Sequence, residues 1–100
     1  MVKWTEHAKR QLRHIHDYIA QDSSLYAKRV TQELVYKTIG LDEFPRLGHM
    51  IPELNEDSIR ELSLYSYRII YEIKPTHINV LAVIHKRRDV QSDDIPREQL

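Results

Sequence analysis

"YRIIYEIKPTHINVLAVIHKRRD", residues 67–89, decides the fold. Tyr67, Ile69, Tyr71 and Ile73 alternate with Arg68, Ile70 and Glu72, the two-residue period of a β-strand. "KPTH" (74–77) has turn composition and leads into "INVLAVI" (78–84), whose apolar run sends side chains to both faces and suits an interior strand. Strict alternation predicts Leu81, Val83 and His85 on one face and Val80, Ala82 and Ile84 on the other. Just upstream, "IRELSL" (59–64) has strand composition as well. Three short strands joined by short turns predict an antiparallel meander.

Periodicity of a different kind precedes the strands. Ala8, Leu12, Ile15 and Ile19 recur at spacings of four, three and four residues, which predicts one helical face over residues 5–20 with Thr5 as its N-cap. "AQDSS" (20–24) interrupts the pattern with capping and turn residues. Ala27, Val30, Leu34 and Leu41 then mark a second helix that ends near "FPRLG" (44–48). So short a connection predicts an antiparallel helix pair. "FPRLGHMIPELNED" (44–57) holds two of the four prolines and reads as the loop between the helical and strand halves. The predicted class is α+β, with two antiparallel N-terminal helices packed on a small antiparallel sheet and the whole of residues 1–100 in a single domain.

Whole-chain properties narrow the function. Fifteen basic and fifteen acidic residues cancel, so the molecule lacks the general positive field that drives non-specific binding to nucleic acid. The absence of cysteine removes disulfides, thiolate chemistry and cysteine-held metal. "MVKWTEHAKR" has no apolar signal core, and no stretch approaches the ~18 apolar residues of a membrane span, which predicts a cytoplasmic chain with no membrane association. His14 and His16, two apart on a helix, point to different sides, so neither metal nor another cofactor is expected.

Two places carry candidate chemistry. At the end of the last strand His85 meets Lys86, Arg87 and Arg88, an ordinary solvated strand end or a cluster able to exchange a proton and hold a phosphate. Arg68 lies among apolar neighbours, so either its face is open or a carboxylate answers it. Glu72 lies four residues along, and Glu61 lies next to Arg60 on the preceding strand.

The order "KWTEHAKRQL", "IHDYIA", "FPRLGHMIPEL", "IRELSLYSYRIIYEI" and "VLAVIHKRRD" resembles the RelE/ParE superfamily of toxins from bacterial type II toxin–antitoxin modules, over residues 2–90. The resemblance implies the same two-helix-on-sheet fold and a cognate antitoxin partner in a hetero-oligomer. RelE-like members cut messenger RNA on the ribosome, and on that branch Arg68, His85 and Arg87 match catalytic positions. ParE-like members act on DNA gyrase without a hydrolytic site, and on that branch Arg60, Lys86, Arg87 and Arg88 are the expected target contacts. The antitoxin is expected to lie on helix stripes including Leu12, Ile15, Val30 and Leu34. Glu61 stands where RelE-like enzymes have a lysine-rich strand, and the tail "VQSDDIPREQL" has no tyrosine where they often carry one, so the ParE branch is the closer match.

Overall fold

The computed structural model describes residues 1–97. Within them strand β1 (Val2–Trp4) is followed by helices α1 (Glu6–Ala20) and α2 (Ser24–Ile39), a short 3-10 turn at Gly40–Asp42, and strands β2 (His49–Met50), β3 (Ile59–Leu64), β4 (Tyr67–Ile73) and β5 (Ile78–His85). The sheet order is β1-β5-β4-β3-β2. The meander over β3, β4 and β5 is antiparallel, as its periodicities predicted, but β1 pairs parallel to β5 and makes the sheet mixed. β1 is three residues long, too short to display a period. β2, another two-residue strand, lies inside the predicted loop.

Local chemistry explains the helix starts. Thr5 accepts the Ala8 N–H at 3.1 Å on its side-chain oxygen, and Ser23 does the same for Tyr26 at 3.1 Å, so each helix begins with a satisfied cap. Ala8 is fully buried, its small side chain letting the start of α1 approach the sheet, while Leu12, Ile15 and Ile19 pack half-buried against the same core. Beyond β1 the outer edge of β5 has no ladder partner, and the Gln11 side chain supplies one by accepting the Val83 N–H at 2.8 Å.

β5 is buried through Ile84, consistent with an interior strand. A β-bulge sits between the Ile70–Ala82 and Tyr71–Val80 pairs, leaving Leu81 as the additional residue. Strict alternation therefore fails at one point. Val80 and Val83 both face the helices, in a core with Leu34, Leu62, Ile69 and Tyr71. Leu81, Ala82 and Ile84 face the other way, into a second core closed by Ile51, Val90 and Ile95. The sheet is thus covered on both sides, by helices on one and by irregular chain on the other.

Tyr71 anchors the long loop. Its ring is fully buried, its hydroxyl donates to the Pro45 carbonyl at 2.7 Å, and it accepts the Gly48 N–H at 2.9 Å. Burial pushes its phenol pKa above the ordinary value, so the neutral donor form is secured. Tyr71→Phe keeps the ring and strands both backbone groups. Urea denaturation should show a loss of about 1–3 kcal/mol; an unchanged midpoint would mean that water replaces the hydroxyl.

Candidate functional site

β4 and β5 pair Tyr67 with His85 and Arg68 with Ile84, so the two candidate catalytic residues Arg68 and His85 project from opposite faces of the sheet. Ile84 belongs to the core on the non-helical face, and Arg68 lies on that side with it. There Arg68 is 7% exposed and fully engaged. Its Nε and Nη2 donate to Glu61 at 2.8 and 2.5 Å, and its Nη1 and Nη2 donate to Glu53 at 2.8 and 3.1 Å. Nη1 also donates to the Arg88 carbonyl at 2.9 Å, and Glu53 accepts the Val90 N–H at 2.9 Å. The carboxylate predicted as one answer to Arg68, Glu61, is present; Glu53, from the loop, joins it. Glu72 instead meets Lys74 and Arg97.

The charges in this knot reinforce one another. Hydrogen bonding to Arg68, only partly opposed by burial, lowers the Glu53 pKa from 4.5 to about 2. The Glu53 bond, offset in part by burial and supported by Glu61, raises the already high pKa of Arg68. A guanidinium held by two carboxylates presents less positive field to solvent than a free one. In the fold it ties β4 to the 51–57 loop and to the segment that follows β5.

Arg60 is likewise engaged within the chain. Its Nη1 donates to the Gly48 carbonyl at 3.0 Å, and Nε and Nη2 donate to the carbonyl and side chain of Asp57 at 3.0 and 2.8 Å. Arg88 pairs with Asp94. Lys86 and Arg87 differ: both are exposed, and among the described residues neither side chain has an ion-pair partner. The turn carrying them is ordered by its backbone. The Lys86 N–H donates to Ser66 at 2.7 Å and the Arg88 N–H to His85 at 3.0 Å. The Arg87 N–H donates to His85 Nδ1 at 3.2 Å, so neutral His85 carries its proton on Nε2.

His85 projects on the helical side, where its ring meets Tyr67 edge-on with centroids 6.2 Å apart. Here α1, α2 and the β3–β4 hairpin enclose a cleft of about 610 Å³, lined by His14, Ile15, Tyr18, Tyr26, Tyr65, Tyr67 and His85. A second hollow of about 410 Å³ shares His14, Ile15, Tyr67 and His85 and adds His7, Arg10 and Arg88. The paired hollows form a trough with an apolar and aromatic floor and cationic or histidine edges. Burial raises the Tyr67 pKa, keeping that phenol neutral. Tyr65, in a left-handed backbone conformation at φ 55°, turns the hairpin and presents its ring at the mouth.

Of the helix residues expected to meet a partner, Val30 and Leu34 are 2% and 0% exposed and belong to the core. The faces of α1 and α2 that carry the regular apolar spacing are the faces they use on each other and on the sheet, so that periodicity located packing. Leu12 and Ile15 are half-buried against that core, and Ile15 also lines both hollows. His14 and Tyr18 were missed as cleft residues. Their signal was their place one step from Ile15 and Ile19, at the border of the stripe, where an amphipathic side chain has one side covered and one open.

Among the described residues no helix is long and apolar enough to cross a membrane. Among curated proteins no sequence matches this chain. Among solved structures, one titled as the chromosomal ParDE TA system from P. aeruginosa is similar, with a TM-score of 0.71 and 23% identity over 84% of this chain and 92% of that one. That likeness establishes the fold. A family model described as the ParE toxin of the type II toxin–antitoxin system, parDE, matches residues 2–90, the span from β1 through the basic turn and the Val90 anchor. The chain therefore belongs to the ParE toxin family of type II toxin–antitoxin systems.

Proposed function

We propose that this toxin inhibits DNA gyrase by binding it, without hydrolytic chemistry, and that a cognate antitoxin neutralises it by occupying the trough beside α1. The observation that carries the proposal is the separation of Arg68 from His85: the two project from opposite sheet faces, and Arg68 is neutralised by Glu53 and Glu61. Phosphodiester cleavage needs cations and a proton-transfer group converging on one phosphate. Lys86 and Arg87, exposed on an ordered turn, are suited instead to contact an acidic patch on a protein target. The antitoxin contribution is an apolar segment seated along Ile15 with acidic side chains toward Arg10 and Arg88, disordered until bound. A hetero-oligomer is the inhibited form, and a gyrase target puts the toxin in the cytoplasm.

A supercoiling assay with purified toxin and gyrase tests this. The toxin is expected to block supercoiling, and Lys86→Glu with Arg87→Glu is expected to weaken the block by at least about tenfold while antitoxin binding persists. Undisturbed gyrase, combined with messenger RNA cleavage in a translating extract that His85→Ala abolishes, would replace docking by chemistry.

A further inference from the structure

α2 is apolar on two sides. Its inward residues Ala27, Val30, Leu34 and Thr38 are buried, as a core-facing stripe should be. On the opposite side Leu25, Tyr36 and Ile39 are 80%, 75% and 60% exposed. With Arg29 and Gln32 these three fall at spacings of four, three, four and three residues, the average period of 3.5 that forms a straight seam for another helix. We propose that this outward face pairs antiparallel with α2 of a second copy of the chain, about a two-fold axis through Gln32.

The seam is nearly the same read from either end: Leu25 and Ile39 lie seven residues to either side of Gln32, and Arg29 and Tyr36 lie three and four. With Gln32 on the axis, Leu25 meets Ile39 of the second copy and Arg29 meets the ring of Tyr36, a cation over an aromatic face. Gln32 meets its own counterpart, and an amide carries both donor and acceptor for that contact. Charge follows the same symmetry. Arg29 and Glu33 have no ion-pair partner among the described residues, and across the axis each Arg29 reaches the Glu33 of the other copy. Leu25, Lys28, Arg29, Gln32 and Glu33 frame an open hollow of about 430 Å³ able to receive the opposing Ile39.

Opposite charges on Arg29 and Glu33, and apolar ends equidistant from Gln32, make this face complementary to itself and select a second copy over an unrelated partner. From Leu25 to Ile39 the seam runs about 21 Å. One such seam falls at the small end of specific interfaces, so the dimer is weak, with a Kd on the order of 10–100 μM. The trough takes Tyr26 and Val30 from a different side of α2, so self-association leaves it open.

The chain has no cysteine, so Gln32→Cys puts one thiol on the axis. Sedimentation equilibrium of the full chain should show a reversible monomer–dimer equilibrium. Under mild oxidation Gln32→Cys should form a disulfide-linked dimer at least about tenfold faster than Tyr65→Cys, whose thiol lies at the cleft mouth. Arg29→Glu and Glu33→Arg should each shift the equilibrium toward monomer, and their combination should shift it back. All four positions are exposed, and far-UV circular dichroism confirms that each variant is folded. A chain that stays monomeric up to the highest soluble concentration overturns the proposal. So do equal disulfide rates at positions 32 and 65, or charge reversals that fail to compensate.

Discussion

Replacing Arg68 with methionine is expected to lower the free energy of unfolding by about 3–5 kcal/mol near neutral pH, the cost of breaking a buried ion pair from one side. The side chains of Arg68, Glu53 and Glu61 are 9%, 21% and 19% exposed, so solvent cannot take over the charges left behind. Two carboxylates would face each other across an apolar replacement, and the Arg88 carbonyl would lose a donor. The pH dependence should change sign. In the native chain Glu53 titrates at about 2 instead of 4.5, so its contribution to stability is complete above about pH 5 and is lost as pH falls toward 2. In Arg68→Met the Glu53 carboxylate loses the bond that depresses its pKa and faces a second carboxylate instead, so acidification relieves the repulsion. Urea denaturation at about pH 7 and pH 4 reads both effects: the gap between variant and native chain should narrow at the lower pH. A cost under about 1 kcal/mol, equal at the two pH values, would mean that water screens the pair as it does on a surface.

This expectation bears on how Arg68 is to be understood. Loss of toxicity in an Arg68 variant is what a catalytic arginine and a structural arginine both produce. Glu53→Gln and Glu61→Gln in the Arg68→Met background separate them, because neutralising all three restores stability without restoring a cation. Recovery of gyrase inhibition in that triple variant would assign Arg68 to the fold alone.

The architecture was legible wherever a period could repeat. Residues 5–20 carry four apolar positions behind a capping threonine, and residues 67–73 carry a full alternation; both became the predicted elements. β1 and β2, three and two residues long, had no room for a period and became visible only through their partners in the sheet. The bulge at Leu81 was hidden for a related reason, since in an all-apolar run a slip of one residue leaves no mark on composition. Site residues followed the same logic. Glu61 was found as a partner for Arg68 because it lies on an adjacent strand, whereas Glu53 comes from a loop whose path no local pattern encodes. The basic residues looked equivalent in sequence, and only the fold separates the engaged Arg60, Arg68 and Arg88 from the open Lys86 and Arg87.

Gly48 packs tightly against the sheet, and Gly48→Ala is expected to cost about 2–4 kcal/mol. Its backbone is not in the left-handed region, so conformational freedom is not why glycine stands there. Space is. A Cβ at this position would lie 2.4 Å from the Glu61 carbonyl oxygen, 2.8 Å from the Tyr71 hydroxyl and 2.9 Å from the Tyr71 ring. The first obstacle is backbone of β3 and the others belong to a fully buried ring, so none can swing aside. Relief requires moving the loop, which strains the bond from the Gly48 N–H to Tyr71, the bond from Arg60 to the Gly48 carbonyl, and the pairing of His49 with Glu61. Gly40 is the internal control. A Cβ there meets nothing within 4 Å, and Gly40→Ala should be neutral or stabilising by up to about 1 kcal/mol through the unfolded chain. Unfolding free energies of the two variants from urea denaturation should therefore move in opposite directions or differ by at least about 2 kcal/mol. Equal shifts would show that the loop gives way freely at Gly48, and that the Tyr71 and Arg60 contacts do not hold it against β3.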